Sequence, residues 1–271
     1  AINAKKLLLK AKGLLKRGLH EQARQIYSTV LKAYPKNHEA KVGLEHIEFL
    51  APSKKELNEG FTFSSELKAL YDECKFDEVI TRFKAEVSYI DEDPLALNIC
   101  ATAFKKLGRF DEAILYYKKS IEINPDFIEA YNNLGTSFLA LGDLESAQGC
   151  FKIALEKRPT YAMAHNGLGL VFSAKGLTSA ALECYLQAIN FSPELSEAHD
   201  NLGNLYVEIR ENDKAINSYK EAIRVASNNV SARNNLAIFL KELGRLDESI
   251  KLYEEAISIS PKFVEAHSNL G

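Results

Sequence analysis

The sequence predicts an all-α fold, a solenoid of antiparallel helix pairs, and three observations carry that prediction. The chain of 271 residues repeats itself at a fixed interval of 34 residues. Apolar residues within each interval recur at helical spacing, and Gly and Pro fall where helices must end. Written in rows beginning at Pro94, Ile128, Ala162, Ser196, Val230 and Val264, the second half aligns without a gap. A position within such a row is its place, numbered from 1 to 34.

Places 3 to 8 carry the strongest likeness: Ala130-Tyr131-Asn132-Asn133-Leu134-Gly135, Ala164-His165-Asn166-Gly167-Leu168-Gly169, Ala198-His199-Asp200-Asn201-Leu202-Gly203, and Ala232 to Ala237 in the next row. Place 11 holds Phe104, Phe138, Phe172, Tyr206 and Leu240. Place 20 holds Ala113, Ala147, Ala181, Ala215 and Ser249. Place 24 holds Tyr117, Phe151, Tyr185, Tyr219 and Tyr253, and place 32 holds Pro125, Pro159, Pro193, Ser227 and Pro261. At 100° per residue, places 4, 7, 8 and 11 share one side of a first helix, which is the side expected to be buried. Gly108, Gly142, Gly176 and Gly244 at place 15 stop that helix. The small residue at place 8 admits close approach of the second helix, and the closing Pro ends it. No pair can cover its own apolar face, so successive pairs must stack.

This pattern resembles the tetratricopeptide repeat (TPR) family, with one departure: the chain has no Trp, and Leu, Tyr, His or Arg fills the usual first large slot. The resemblance implies a right-handed solenoid and a non-enzymatic scaffold for protein or peptide partners. It divides the chain into an N-terminal block (1–50, one full unit and a partial one), a linker (51–59), a degenerate repeat (60–93), five regular repeats (94–127, 128–161, 162–195, 196–229 and 230–263) and the start of a further repeat (264–271). Leu7, Leu14, Gly18, Ala23, Tyr27 and Pro35 mark the first unit, and Leu70, Phe76, Val79 and Phe83 the eroded one. Because the last row stops inside its first helix, the expectation is that the protein continues.

Composition narrows the function classes. Hydrophobic residues make up 46% and charged residues 26%, which fits a folded domain rather than a disordered chain. Net charge is −3, split between +6 over residues 1–59 and −9 over the rest. Nucleic acid is therefore not an expected partner, since the aromatics belong to packing slots and the N-terminal lysines read as a solvated helical face. No run of 18 apolar residues is present to span a membrane. Cys74, Cys100, Cys150 and Cys184 form no C-x-x-C pair, so reduced thiols in the cytoplasm are expected.

Catalytic chemistry finds no support. His165, His199 and His267 all stand at place 4, a packing slot, and no metal-ligand or nucleophile motif occurs. Neither cofactor nor metal is expected. The asparagines differ. Asn98, Asn132, Asn166 and Asn234 share place 5, Asn133, Asn201, Asn235 and Asn269 share place 6, and Asn204 stands at place 9. Asparagine is a mediocre helix former, so its repeated use in mid-helix calls for a reason. In the family these places line the concave surface, and an amide that both donates and accepts suits the backbone of an extended peptide. The series resembles the ladders in the TPR arm of O-linked N-acetylglucosamine transferases, which implies one alternative, a recruiting arm of a larger glycosyltransferase-like enzyme; stacking of exposed terminal repeats offers another, a self-associating platform. Hydrogen bonding between helices is an equally physical use of the same amides. No Lys/Arg clamp for a C-terminal carboxylate stands at places 5 and 9. Glu129, Glu197, Glu265, Asp200 and Glu208 give the inner face acidic edges, suited to a somewhat basic peptide, while Lys105 and Lys106 keep its early end positive.

Overall fold

A computed structural model describes residues 4–15, 20–50, 63–85 and 93–270. Among them are sixteen helices and no strand. They run in order α1 (Ala4–Leu15), α2 (His20–Ala33), α3 (His38–Leu50), α4 (Phe63–Asp72), α5 (Phe76–Ala85), α6 (Pro94–Lys106), α7 (Phe110–Ile123), α8 (Ile128–Ala140), α9 (Leu144–Lys157), α10 (Ala162–Ala174), α11 (Thr178–Phe191), α12 (Ser196–Glu208), α13 (Asn212–Val225), α14 (Val230–Glu242), α15 (Leu246–Ile259) and α16 (Val264–Leu270). The six row starts are the first residues of α6, α8, α10, α12, α14 and α16. The expected linker at 51–59 and Gly18 lie outside the described residues.

The chain divides into two compact units, residues 1–99 and 100–271. In the first, α1 packs on α2 and α2 on α3 around Leu8, Ala11, Leu14, Ala23, Tyr27, Val30 and Ala40. Gly43 is required there, because a Cβ would lie 2.5 Å from the Tyr27 ring. Helices α4 and α5 pack as a pair and bury Leu67, Val79, Ile80 and Phe83. Asp93 caps α6 through a 2.9 Å bond from the Leu95 N–H.

The second unit is a TPR solenoid in which each helix from α7 to α16 packs on the next along the chain. The place-24 ring is the pivot of every repeat: Tyr117, Phe151, Tyr185, Tyr219 and Tyr253 are all buried. Phe151, Tyr185 and Tyr219 each face the place-8 glycine of their own row, and a Cβ on Gly169 or Gly203 would lie 2.4 or 2.6 Å from that ring. Place 20 is fully buried alanine in four rows and Ser249 in the fifth, whose hydroxyl donates to the Ala237 carbonyl at 2.7 Å.

First helices end in a Schellman turn. The Gly108 N–H bonds the Lys105 carbonyl at 3.0 Å and the Arg109 N–H bonds the Phe104 carbonyl at 2.9 Å. Place 15 takes positive φ throughout, +71° to +78° at its four glycines. Arg210 and Cys74 hold the same place with φ of 61° and 59°.

In one respect the structure revises the helical wheel drawn from sequence. First helices bury two sides rather than one. Besides places 7 and 8, the alanines at place 3 (Ala130, Ala164, Ala198 and Ala232) and the place-10 residues Ser137, Val171, Leu205 and Phe239 are buried. The cause is stacking: α8 meets α10, α10 meets α12 and α12 meets α14, so the first helices cover one another as well as their own partners.

A candidate peptide groove

What stays open on the first helices is a stripe at places 2, 6, 9, 12 and 13. Along α10, α12 and α14 it hollows into a cavity of about 480 Å³. Leu170, Val207 and Ile238 form its apolar wall, Asn201, Asn204 and Asn235 supply amides, and Glu208 and Glu242 stand among its lining residues. The hydroxyl-bearing rings of Tyr185 and Tyr219 reach it from the second helices α11 and α13.

The asparagines pair with one another. The Asn201 amide donates to Asn166 Oδ1 at 3.0 Å, Asn235 donates to Asp200 Oδ1 at 3.0 Å, and Asn269 donates to Asn234 Oδ1 at 3.1 Å. Each bond joins place 6 of one row to place 5 of the row before. Its direction is set by Asp200, whose carboxylate can only accept. Bonding between helices, the second use that the sequence allows these amides, is thus realised.

Burial is deepest at place 5 in two rows. Asn132 is 2% exposed and Asn234 7%, because place 5 turns into the seam between stacked first helices. Asn98 and Asn166 are half-buried at the same place. Of the place-6 residues, Asn133, Asn201, Asn235 and Asn269 are all half-buried, and Asn201 and Asn235 line the cavity. The Asn133 carbonyl accepts from Thr136 and Ser137, each at 2.9 Å. Asn204 is exposed and accepts from the Tyr219 hydroxyl at 2.7 Å.

The series breaks at Gly167. With no side chain there to donate, the buried Asn132 Oδ1 has no partner. An amide could not be fitted in its place, since a Cβ on Gly167 would lie 2.4 Å from the Phe151 ring.

Place 9 and place 24 form a second polar series. Thr102 pairs with the Tyr117 hydroxyl at 2.9 Å, as Asn204 does with Tyr219. Where place 9 becomes Ile238, the buried Tyr253 hydroxyl has no partner. The sequence reading misses these tyrosines, because it treats place 24 as packing alone. A signal is nevertheless present: a ring needed only for its apolar surface could be Phe in every row, yet four of five rows keep the hydroxyl.

The histidines prove to be braces. His165, His199 and His267 each bond the carbonyl of the preceding closing proline, Pro159, Pro193 and Pro261, at 2.9 to 3.0 Å. Lys105, at the early end of the groove, donates to Thr136 Oγ1 at 3.0 Å, and burial, reinforced by neighbouring Lys106, pushes its amine down to about 8. Burial also raises the Asp200 carboxyl, against the opposing pull of the Asn235 bond. Among the described residues no group of three or more His, Cys, Asp or Glu could hold a metal ion, and no helix is long and apolar enough to cross a membrane.

Stacked antiparallel helix pairs of this kind define a helical repeat protein, a protein-interaction scaffold. The chain belongs to the tetratricopeptide repeat family. Models described as TPR repeat match residues 101–142 and 239–271, and models described as tetratricopeptide repeat match 7–37, 132–195 and 196–229. A thermophilic TPR protein from Thermus thermophilus is 26% identical, with 66% of this chain and 96% of that one covered at a TM-score of 0.60. A TPR protein from Parabacteroides merdae shares the fold over 98% of this chain and 97% of its own, at 14% identity and a TM-score of 0.67. In the APC/C hetero-tetramer Cut9–Hcn1, 54% of the matched chain corresponds to 97% of this one, at 19% identity and a TM-score of 0.66. No curated protein matches the sequence.

Proposed function

We propose that the chain is a non-enzymatic scaffold whose groove along α10, α12 and α14 holds extended peptide or protein segments. One observation carries this reading: Asn201 and Asn235 join the ladder through their amide nitrogens alone while bordering the cavity. An amide has four hydrogen-bonding positions, so the carbonyl oxygen of each, and a second N–H of Asn201, remain for a peptide backbone. On this reading place 5 braces the ladder and place 6, with Asn204, meets the ligand. Each such bond contributes about 1 kcal/mol net, and Leu170, Val207 and Ile238 add apolar contact, so affinity is modest and selectivity broad. The four cysteines form no disulfide, which fits a reducing, cytoplasmic setting.

The test is a lysate pull-down read by mass spectrometry with three baits: the parent chain, Asn201→Ala/Asn204→Ala/Asn235→Ala, and Leu170→Ser/Ile238→Ser. Circular dichroism melts confirm that each bait is folded. Loss of the same partners from both variants supports the groove; retention of those partners by both folded variants sinks it.

A further inference from the structure

The groove is unevenly charged. Lys105 and Lys106 stand at its early end, whereas its later end carries Glu208 and Glu242, both at place 13 of successive rows. These two glutamates line the cavity already described, beside Tyr185, Tyr219, Leu170 and Ile238. A third carboxylate, Asp200, is half-buried below them with the Asn235 amide as its partner.

All three carboxylates act on one hydroxyl, that of Tyr219. Burial raises the Tyr219 hydroxyl well above its ordinary range, and the fields of Asp200, Glu242 and Glu208 add to that effect. Tyr185 is raised in the same way, by burial first and Glu208 next. Among the described residues none of the three carboxylates forms an ion pair; Lys241 donates to the Asn269 carbonyl at 3.1 Å, and Lys214 faces Glu211 at 3.4 Å.

A concave site with low-dielectric walls concentrates such a field. What complements it must have a cationic tip for the glutamates, a flat or aliphatic body for the tyrosine rings and the apolar wall, and a tether along the groove. A bare metal ion fits poorly, as no three potential ligands converge among the described residues. An arginine side chain meets every requirement, since its planar guanidinium can reach two carboxylates and stack on an aromatic ring.

We infer that the cavity bounded by Glu208, Glu242, Tyr185 and Tyr219 is a subsite for one cationic side chain, arginine by preference, of an extended peptide in the groove. The inference rests on the peptide-groove reading above and specifies the ligand's chemistry. The early end, with Lys105 and Lys106, has the opposite sign and is not the place for that residue.

The probe is a displayed library of random twelve-residue peptides, selected on the intact chain. The expected result is a Lys/Arg preference at one position, strongest for Arg. The best peptide is then synthesised with that arginine and with citrulline, its neutral isostere. On the parent chain citrulline weakens binding by about tenfold or more. On Glu208→Gln/Glu242→Gln, whose substitutions are at exposed positions, the two peptides bind within about twofold of each other. Selected peptides with no positional basic residue overturn the cation subsite and leave the groove reading standing, as does a citrulline penalty unchanged in the double variant. Failure to select any peptide that Leu170→Ser/Ile238→Ser releases overturns both.

Discussion

The Asn235 amide donates to both oxygens of the Asp200 carboxylate, at 3.0 and 3.3 Å, across the seam between α14 and α12. This is the one rung of the ladder in which a charge replaces an amide, and it separates what the rung contributes from what the charge costs. Asn235→Ala should lower stability by about 1–3 kcal/mol, because a half-buried carboxylate loses its partner. Asp200→Asn should be neutral or stabilising at pH 7, since it recreates the amide–amide rung of Asn166 and Asn201. The folded Asp200 carboxyl keeps its proton to a higher pH than the unfolded chain does. The parent therefore loses stability as pH rises from about 3.8 through the raised value, and the Asn variant escapes that loss. Urea unfolding of parent and variants at pH 4 and pH 7 checks both statements.

Arg210 holds a left-handed conformation that its four counterparts assign to glycine. A side chain in that region costs about 1–2 kcal/mol. Arg210→Gly should raise stability by about 1 kcal/mol, and Gly176→Arg should lower it by a similar amount. Thermal melts of the two variants decide the matter, and a destabilised Arg210→Gly would contradict the turn assignment.

Tyr219 and Tyr253 occupy the same place in adjacent rows, yet only Tyr219 has a place-9 acceptor, Asn204. Tyr219→Phe should cost about 1 kcal/mol by losing that bond. Tyr253→Phe should be neutral or slightly stabilising, since it removes a buried hydroxyl with no partner. Equal losses in both variants, measured by urea titration, would disprove the distinction.

Lys105 is a half-buried amine lowered to about 8, with a neutral threonine as its acceptor. The unfolded chain holds that proton up to about 10.5. Between those values the unfolded state binds more protons, so this group makes stability rise with pH across the interval. Lys105→Met should therefore stabilise the chain at pH 7 by about 1–3 kcal/mol, and its advantage should shrink steadily from pH 8 to pH 10. Paired denaturation curves across that range would show a constant difference if burial of the charge were not the cause.

Much of the fold is legible in the residues themselves. The six row starts begin helices, the place-15 glycines take positive φ, and the place-8 glycines sit under the place-24 rings. These follow from local rules, in which a turn needs a left-handed residue and an aromatic ring needs a small neighbour, so a 34-residue period in one sequence discloses them. The asparagine series and the break at Gly167 can also be read directly from the residues.

What those amides face was decided by tertiary structure alone. The bonded asparagines stand 35 residues apart, one row plus one place. That extra place comes from the offset with which one first helix stacks on the next, and no periodicity encodes an offset between helices. The same stacking buries places 3 and 10, turns place 5 into the seam, strands Asn132 Oδ1 opposite Gly167, and brings Glu208, Glu242 and the tyrosine hydroxyls around one cavity. Sequence determined the repeat, its turns and its supply of amides, because these depend on neighbours within a few residues or one helix pair. The groove and its charge arise between pairs, where only packing sets which side chains meet.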